Sequence, residues 1–371
     1  MENLENIPQM EPLFGDEEAE AVYEYMKDGA WLTEFRKTRE FEQSIADYTG
    51  AKHVVAVNNG TVALSVALIA AGIGPGDEVI VPNYTMIATP NSVQLLGAKP
   101  IFADVCPRTL CLTTDKIQEK ISVKTKAVIL VYANGRNPVE SACAIERLCK
   151  ENALNLIEDS AQSLGSFTSD GIHQGLIGDI GTLSFSAPKI ISTGQGGALM
   201  TNSDEFAAKI RKIKDFGRSG GGSDIHDTLG YNFKFTDMQA CVGIEQMKKL
   251  KMRVSRKKQI CQRYQENLRD LPEVRFFDQD LEMTTPWFID GLFKDRDLLS
   301  SRLKDRGIGT RVMYPPINRQ KAYSELESYF EVSELVGVEG LWLPSSIQLT
   351  DAAIDRVCDE IKRFYRSRGE S

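Results

Sequence analysis

The sequence predicts an α/β fold: a large domain with a mostly parallel central sheet wrapped by helices, then a smaller C-terminal α/β domain. Three observations carry this. Between about residues 50 and 200, short β-branched runs alternate with helical segments, as in a sheet whose crossovers are helices. After Leu271-Pro272 the pattern restarts with shorter strands. The 371 residues, 42% of them hydrophobic, suffice for one large and one small core, expected over 1–250 and 251–371.

Strands are expected at 53–58, 78–82, 100–104, 127–132, 154–158, 182–185 and 198–201, with helices at 61–71, 86–96, 140–152 and 204–216. From Thr236 to Leu268 apolar residues recur at helical spacing (Met238, Val242, Ile244, Met247, Leu250), which reads as one connecting helix. Two more helices are expected at 297–306 and 351–366. The glycine-rich segment from Phe216 to Gly230, in which Arg218-Ser-Gly-Gly-Gly-Ser223 has no periodicity, reads as a loop, either plain surface or a lid that closes over a site.

A net charge of −8 creates no global field for nucleic acid or an anionic membrane, so an anionic substrate needs a local site. The seven cysteines form no C-x-x-C pair and read as reduced core thiols. His53, His173 and His226 lack metal-site spacing, so no metal is expected. The first twenty residues have no basic segment followed by an apolar one, and no apolar run reaches spanning length. A cytoplasmic globular protein is expected.

Chemistry concentrates at three strand ends. In Thr182-Leu-Ser-Phe-Ser-Ala-Pro-Lys189-Ile-Ile-Ser-Thr-Gly-Gln-Gly-Gly197 a strand runs into a polar turn and a glycine-rich return. Such a turn can hold a lysine out of water, which favours the neutral, nucleophilic amine of a Schiff-base former; the competing reading is an ordinary exposed lysine. In Leu154-Asn-Leu-Ile-Glu-Asp159 an apolar strand ends in an acid, where α/β sheets bind ligands. That carboxylate can pair with a pyridinium nitrogen, or simply cap a helix. In Val57-Asn-Asn-Gly60-Thr61 a strand turns into an apolar helix whose first amides suit a phosphate, as those of many such turns do. Together they supply a lysine, a pyridinium partner and a phosphate cradle, to which Ser184 can add a hydroxyl. No G-x-G-x-x-G follows the first strand, which argues against a nicotinamide-binding domain.

Over nearly its full length the chain resembles the DegT/DnrJ/EryC1/StrS sugar aminotransferases. The matching stretches are Trp31-Leu-Thr, Phe41-Glu42, Asn59-Gly-Thr-Val-Ala-Leu64, Gly72-Ile-Gly-Pro-Gly-Asp-Glu-Val79, Ile157-Glu-Asp159, Lys189 and Gly230-Tyr-Asn232. The first third is most similar to GDP-perosamine synthases and other 4-aminotransferases. The resemblance implies a fold-type I enzyme dependent on pyridoxal 5'-phosphate (PLP), with Lys189 linked to the cofactor, Asp159 on its pyridine nitrogen and Gln162 on its phenolic oxygen. Gly60, Thr61 and Ser184 would hold the phosphate, together with Asn232 from the partner of a homodimer, and Met86 would cover the ring. Trp31, Tyr314 and Asn318 align with regions that touch the nucleotide-sugar, and Arg218 with the glycine-rich loop would close over it. The implied reaction moves an amino group from L-glutamate to a nucleotide-linked keto-deoxy-sugar, a 4-keto-6-deoxyhexose of the perosamine type, making an amino sugar for a surface glycan such as O-antigen. Transfer at C3, a sugar dehydratase and a catalytically silent PLP-binding regulator are the alternatives; the related dehydratases carry histidine in place of the lysine, which Lys189 argues against. The chain departs from the family pattern at Phe35-Arg36, Met86, Tyr132, Gln195 and Lys234, changes expected to crowd the mouth of the site.

Overall fold

The computed structural model describes residues 6–29, 31–220, 224–323 and 328–369. Residues 221–223 of the expected loop lie outside this set.

Seven strands form the large sheet: β1 (His53–Val57), β2 (Glu78–Pro82), β3 (Lys99–Ala103), β4 (Thr125–Val131), β5 (Asn155–Asp159), β6 (Ile180–Ser184) and β7 (Gly197–Thr201). Their spatial order is β1-β7-β6-β5-β4-β2-β3, and only β7 runs antiparallel to its neighbours. Both faces are covered, which is why β1 and β4 are continuous apolar runs rather than alternating ones. Helices α1 (Asp16–Lys27) and α2 (Arg36–Thr49) precede the sheet. Between its strands lie α3 (Gly60–Ala70), α4 (Ala88–Gln94), α5 (Thr114–Gln118) and α6 (Ala142–Glu151), and after it come α7 (Asp204–Lys214) and α8 (Asp237–Lys248). Helix α3 is buried nearly all round, from Ala63 to Leu68, so it carries no polar stripe.

The first two helices have no expected counterpart; α1 starts on a local bond, Gly15 N to Glu18 Oε2 at 2.8 Å, whereas the start of α2 is built by a distant residue. The carboxylate of Asp237 accepts from the backbone N–H groups of Phe35, Lys37 and Thr38 at 2.8, 2.9 and 2.9 Å, capping α2 from another helix. The expected helix at 86–96 is shorter, and Met86 lies ahead of it, accepting from Ala88 N at 3.0 Å through its sulfur.

The expected connecting helix is two helices. It breaks at Lys249, after which α9 (Leu250–Leu268) begins. Lys249 Nζ sits 3.1 Å from Glu17 and 2.8 Å from Glu18, tying the bend to α1. Ahead of the break, Ala240 joins the core around Phe41 and Phe185; beyond it, Ile260, Cys261 and Tyr264 enter a second core. Leu250 and Val254, at the start of α9, still pack on the first core, so the helix passes from one core to the other along its own length.

That second core is covered by an antiparallel sheet of order β10-β11-β9-β8, built from β8 (Val274–Phe276), β9 (Ile289–Phe293), β10 (Arg311–Val312) and β11 (Gly340–Leu343). Helices α10 (Arg296–Asp305) and α12 (Asp351–Gly369) pack on it. Helix α11 (Glu331–Glu339) has no local cap; Asp104, at the end of β3, accepts from Val332 N at 2.9 Å and Ser333 N at 3.1 Å. A third apolar cluster joins the two sheets through Trp287, Phe288 and Trp342.

Candidate active site

Strand order brings the three sequence motifs together. Val57 of β1 and Ser184 of β6 both pair with Gly197 of β7, so the turns after β1 and β6 leave the same sheet edge. A Cβ on Gly60 would stand 2.8 Å from Ser184 Cβ, so the close approach of α3 to β6 requires glycine there. Asn59 accepts from Val62 N at 2.9 Å, and the amides of Gly60 and Thr61, at the start of the helix, have no acceptor within it. The start of α3, with these free amides, therefore lies against Ser184, whose Oγ would stand 3.1 Å from a Cβ on Gly60.

Lys189 lies in the β6–β7 turn, which closes on itself through Thr193 N to Phe185 O at 3.0 Å and Phe185 N to Gly196 O at 2.8 Å. Its Nζ stands 4.2 Å from the centre of the Trp287 indole ring, and Trp287 Nε1 donates to Pro188 O at 2.8 Å. Burial lowers the Lys189 pKa to about 8, opposed by the negative charge of Asp159. A narrow cavity beside the amine is lined by Gln162, Ser184, Thr285 and Trp287.

Asp159 ends β5, one strand over from β6, and is buried. It accepts from Thr89 Oγ1 at 2.9 Å and Ala161 N at 3.2 Å. Burial pushes its carboxyl above the usual range, while Thr89, the Ala161 N–H and Lys189 pull it back. Tyr314 packs on Tyr84, with ring centres 6.2 Å apart, and burial raises its phenol to about 12, with a contribution from the Asp159 charge. Gln162 accepts from Asn134 N at 2.6 Å.

The other expected residues sit as follows. Trp31 is 67% exposed and Met86 45%. Asn232 is exposed, its backbone bridged to Asp215. The guanidinium of Arg218 is held by Asp215 at 3.3 Å and Asp224 at 2.9 Å, over the Phe216 ring. Asn318 belongs to the short 3-10 turn Ile317–Arg319. It is buried, its Oδ1 accepts from Asn83 Nδ2 at 2.9 Å and its Nδ2 donates to Ser328 O at 2.7 Å, so its amide anchors a loop.

The departures do not all crowd the mouth. Tyr132 is fully buried and donates inward to Glu158, which also accepts from the N–H groups of Gly175, Ile177 and Gly178. Lys234 is drawn to Asp215 at 2.9 Å. Phe35 and Met86 do remain exposed.

Sequence reasoning missed Trp287 and Thr89. No local pattern marks either, since each acquires its role only by packing against a motif far away in the chain. Among the described residues, no group of three or more His, Cys, Asp or Glu is placed to hold a metal ion, and no helix is long and apolar enough to cross a membrane.

Comparison with known proteins agrees with this geometry. Residues 12–362 match the sequence family described as the DegT/DnrJ/EryC1/StrS aminotransferase family. The chain is 36% identical over 366 residues to a GDP-perosamine synthase of Caulobacter vibrioides, covering 96% of this chain and 98% of that one. It is 33% identical over 369 residues to a GDP-perosamine synthase of Escherichia coli O157:H7, covering 98% of this chain and 100% of that one. Among solved structures, the aminotransferase TlmJ from Streptoalloteichus hindustanus superposes with a TM-score of 0.91 at 32% identity, covering 98% of this chain and 100% of that one.

Proposed function

Because the chain belongs to the DegT/DnrJ/EryC1/StrS aminotransferase family, we propose that it is a PLP-dependent transaminase that moves an amino group from L-glutamate to C4 of a nucleotide-linked 4-keto-6-deoxyhexose. The product is an amino sugar of the perosamine type, destined for a surface glycan. The GDP-perosamine synthase names of its relatives support GDP as the nucleotide.

The observation that carries this reading is the convergence of Lys189, Asp159 and the Gly60-Thr61-Ser184 cradle on one sheet edge. These groups fit PLP one for one: an amine for its aldehyde, a carboxylate for its pyridine nitrogen and amides with hydroxyls for its phosphate, with Gln162 left for its phenolic oxygen. Bound there, the cofactor supplies an electron sink for the carbon that loses its proton. Asp159, oriented by Thr89, holds a proton on the pyridine nitrogen. Lys189, with its lowered pKa, takes the α-proton of the amino donor and returns one to the sugar carbon in the second half-reaction. Trp287 keeps water from the Lys189 amine.

The proposal includes a homodimer in which Asn232 of the second copy reaches the phosphate. Its support is a set of exposed apolar residues on the protomer, Trp31, Met86, Leu229 and Tyr231, that a second chain would cover. It also includes a division into 1–250 and 251–371, supported by the move of α9 into the second core, although Ile7 joins that core too. A cytoplasmic location is consistent with seven free cysteines.

The test is incubation with L-glutamate and a panel of GDP-, UDP- and dTDP-linked keto-sugars, following 2-oxoglutarate and the amino sugar. Transfer to the GDP-linked 4-keto-6-deoxy sugar is expected. Bleaching of the bound cofactor by glutamate without transfer to any panel member would reject the substrate; no bleaching by any amino donor would reject transamination.

A further inference from the structure

Gln162 has an amide with two different ends, and the structure determines which end faces the cavity. The Asn134 backbone N–H lies 2.6 Å from Gln162 Oε1, and an N–H can only donate. The oxygen end is therefore committed to Asn134. Nε2, which only donates, is left for the cavity that Gln162 lines with Lys189, Ser184 and Trp287.

Asn134 is itself held firmly. It has left-handed backbone, φ 54° and ψ 28°, which Asn tolerates better than most side chains. Its Oδ1 accepts from Phe288 N at 2.7 Å, and its Nδ2 donates to Phe288 O at 2.8 Å and Asp290 Oδ1 at 3.0 Å. Asp290 is fixed in turn by Arg136, whose Nη1 donates to Oδ2 at 3.0 Å in a buried pair. Phe288 stacks on Trp287, ring centres 3.9 Å apart, and Trp287 lies against Lys189. One asparagine thus joins the start of β9 to both Gln162 and the wall of the lysine site.

We infer that Asn134 is a positioning residue: it turns the donor end of Gln162 toward the cofactor's phenolic oxygen and ties that orientation to the small sheet through Phe288 and Asp290. The inference rests on the PLP reading above. A donor at the phenolic oxygen draws electron density from it and lowers the pKa of the lysine-bound chromophore.

The experiment is a pH titration of the visible absorbance of the PLP-loaded enzyme, carried out for wild type, Gln162→Ala, Asn134→Ala, Asn134→Gly and the double variant Asn134→Ala/Gln162→Ala. Asn134→Gly keeps the left-handed backbone, so it reports even if Asn134→Ala does not fold. The Gln162→Ala midpoint should rise by roughly one unit, the equivalent of one net hydrogen bond. Both Asn134 variants keep the backbone N–H but lose the side-chain anchor on Phe288 and Asp290, so both should shift in the same direction by a smaller amount, and the double variant should move no further than Gln162→Ala. Asn134 variants that titrate like wild type while Gln162→Ala shifts, or an additive double variant, would overturn the positioning role. A wild type that forms no lysine-linked chromophore would instead remove the PLP reading.

Discussion

Trp287 closes the site of Lys189 from outside the large sheet. The indole centre is 4.2 Å from Lys189 Nζ, and its Nε1 is bonded to the carbonyl just before the lysine, at 2.8 Å. The wall that dries the amine is therefore latched to the turn that presents it. Trp287 O in turn accepts from buried Lys257 Nζ at 2.7 Å, which fixes the indole from behind.

Capture of PLP by the apoprotein should follow the neutral form of Lys189. With the pKa lowered to about 8, the rate of covalent attachment should rise as pH approaches 8 and level off above it, rather than continue to rise toward 10.5. Stopped-flow absorbance across pH 6 to 10, as a rough range, reads this directly.

The same shift predicts a stability slope. Between about 8 and 10.5 the unfolded chain binds a proton at this lysine that the folded apoprotein does not, so stability rises with pH across that window. Below it the penalty is present in full. Lys189→Met apoprotein should lack this part of the slope, about 1.4 kcal/mol per pH unit, while the contribution of Lys257, lowered to about 7, cancels in the comparison. Parallel urea melts of the two proteins measure it.

Trp287→Ala should lose two properties at once. Removal of a buried indole costs roughly 3–5 kcal/mol of stability, and water admitted to Lys189 moves the pH profile of cofactor capture upward. Trp287→Phe keeps the ring but not the bond to Pro188, so it should show a smaller shift. An unchanged capture profile in Trp287→Ala would show that the indole does not set the lysine's pKa.

Asp159→Asn should leave the phosphate cradle intact yet reduce turnover by on the order of a hundredfold or more, because a neutral amide cannot hold the proton on the pyridine nitrogen. Thr89→Val should give a milder loss with cofactor affinity nearly unchanged, since it removes the 2.9 Å bond that orients the carboxylate and the 3.0 Å bond to Thr85 Oγ1. Steady-state kinetics alongside PLP titrations separate the two effects.

Mixing Lys189→Ala with Asn232→Ala chains should restore activity, because one of the two sites in each hybrid dimer then has its own lysine and its partner's asparagine. The recovered activity should approach half that of wild type per hybrid. No recovery in confirmed hybrids argues against a shared phosphate site.

The readable part of the site lies where chemistry is local. Gly60-Thr61, Asp159 and Lys189 each sit at a strand end, and strand periodicity together with turn chemistry is written within a few residues. Their meeting at one sheet edge is inferable once a parallel sheet is read from the alternation of strands and helices, since such sheets gather ligands at one edge. The residues that tune those groups were not legible. Thr89, Asn134 and Trp287 carry no local motif, and the bond from Asn83 to Asn318 spans 235 positions. The direction of Tyr132 was hidden for the same reason: its partner Glu158 is on the next strand, and burial turned the phenol inward. The sequence alone determined which groups can do the chemistry, because side-chain type and backbone period act at short range. Only the tertiary structure decided which of them are dried, oriented or already spoken for, because those properties belong to partners that the chain brings together over hundreds of residues.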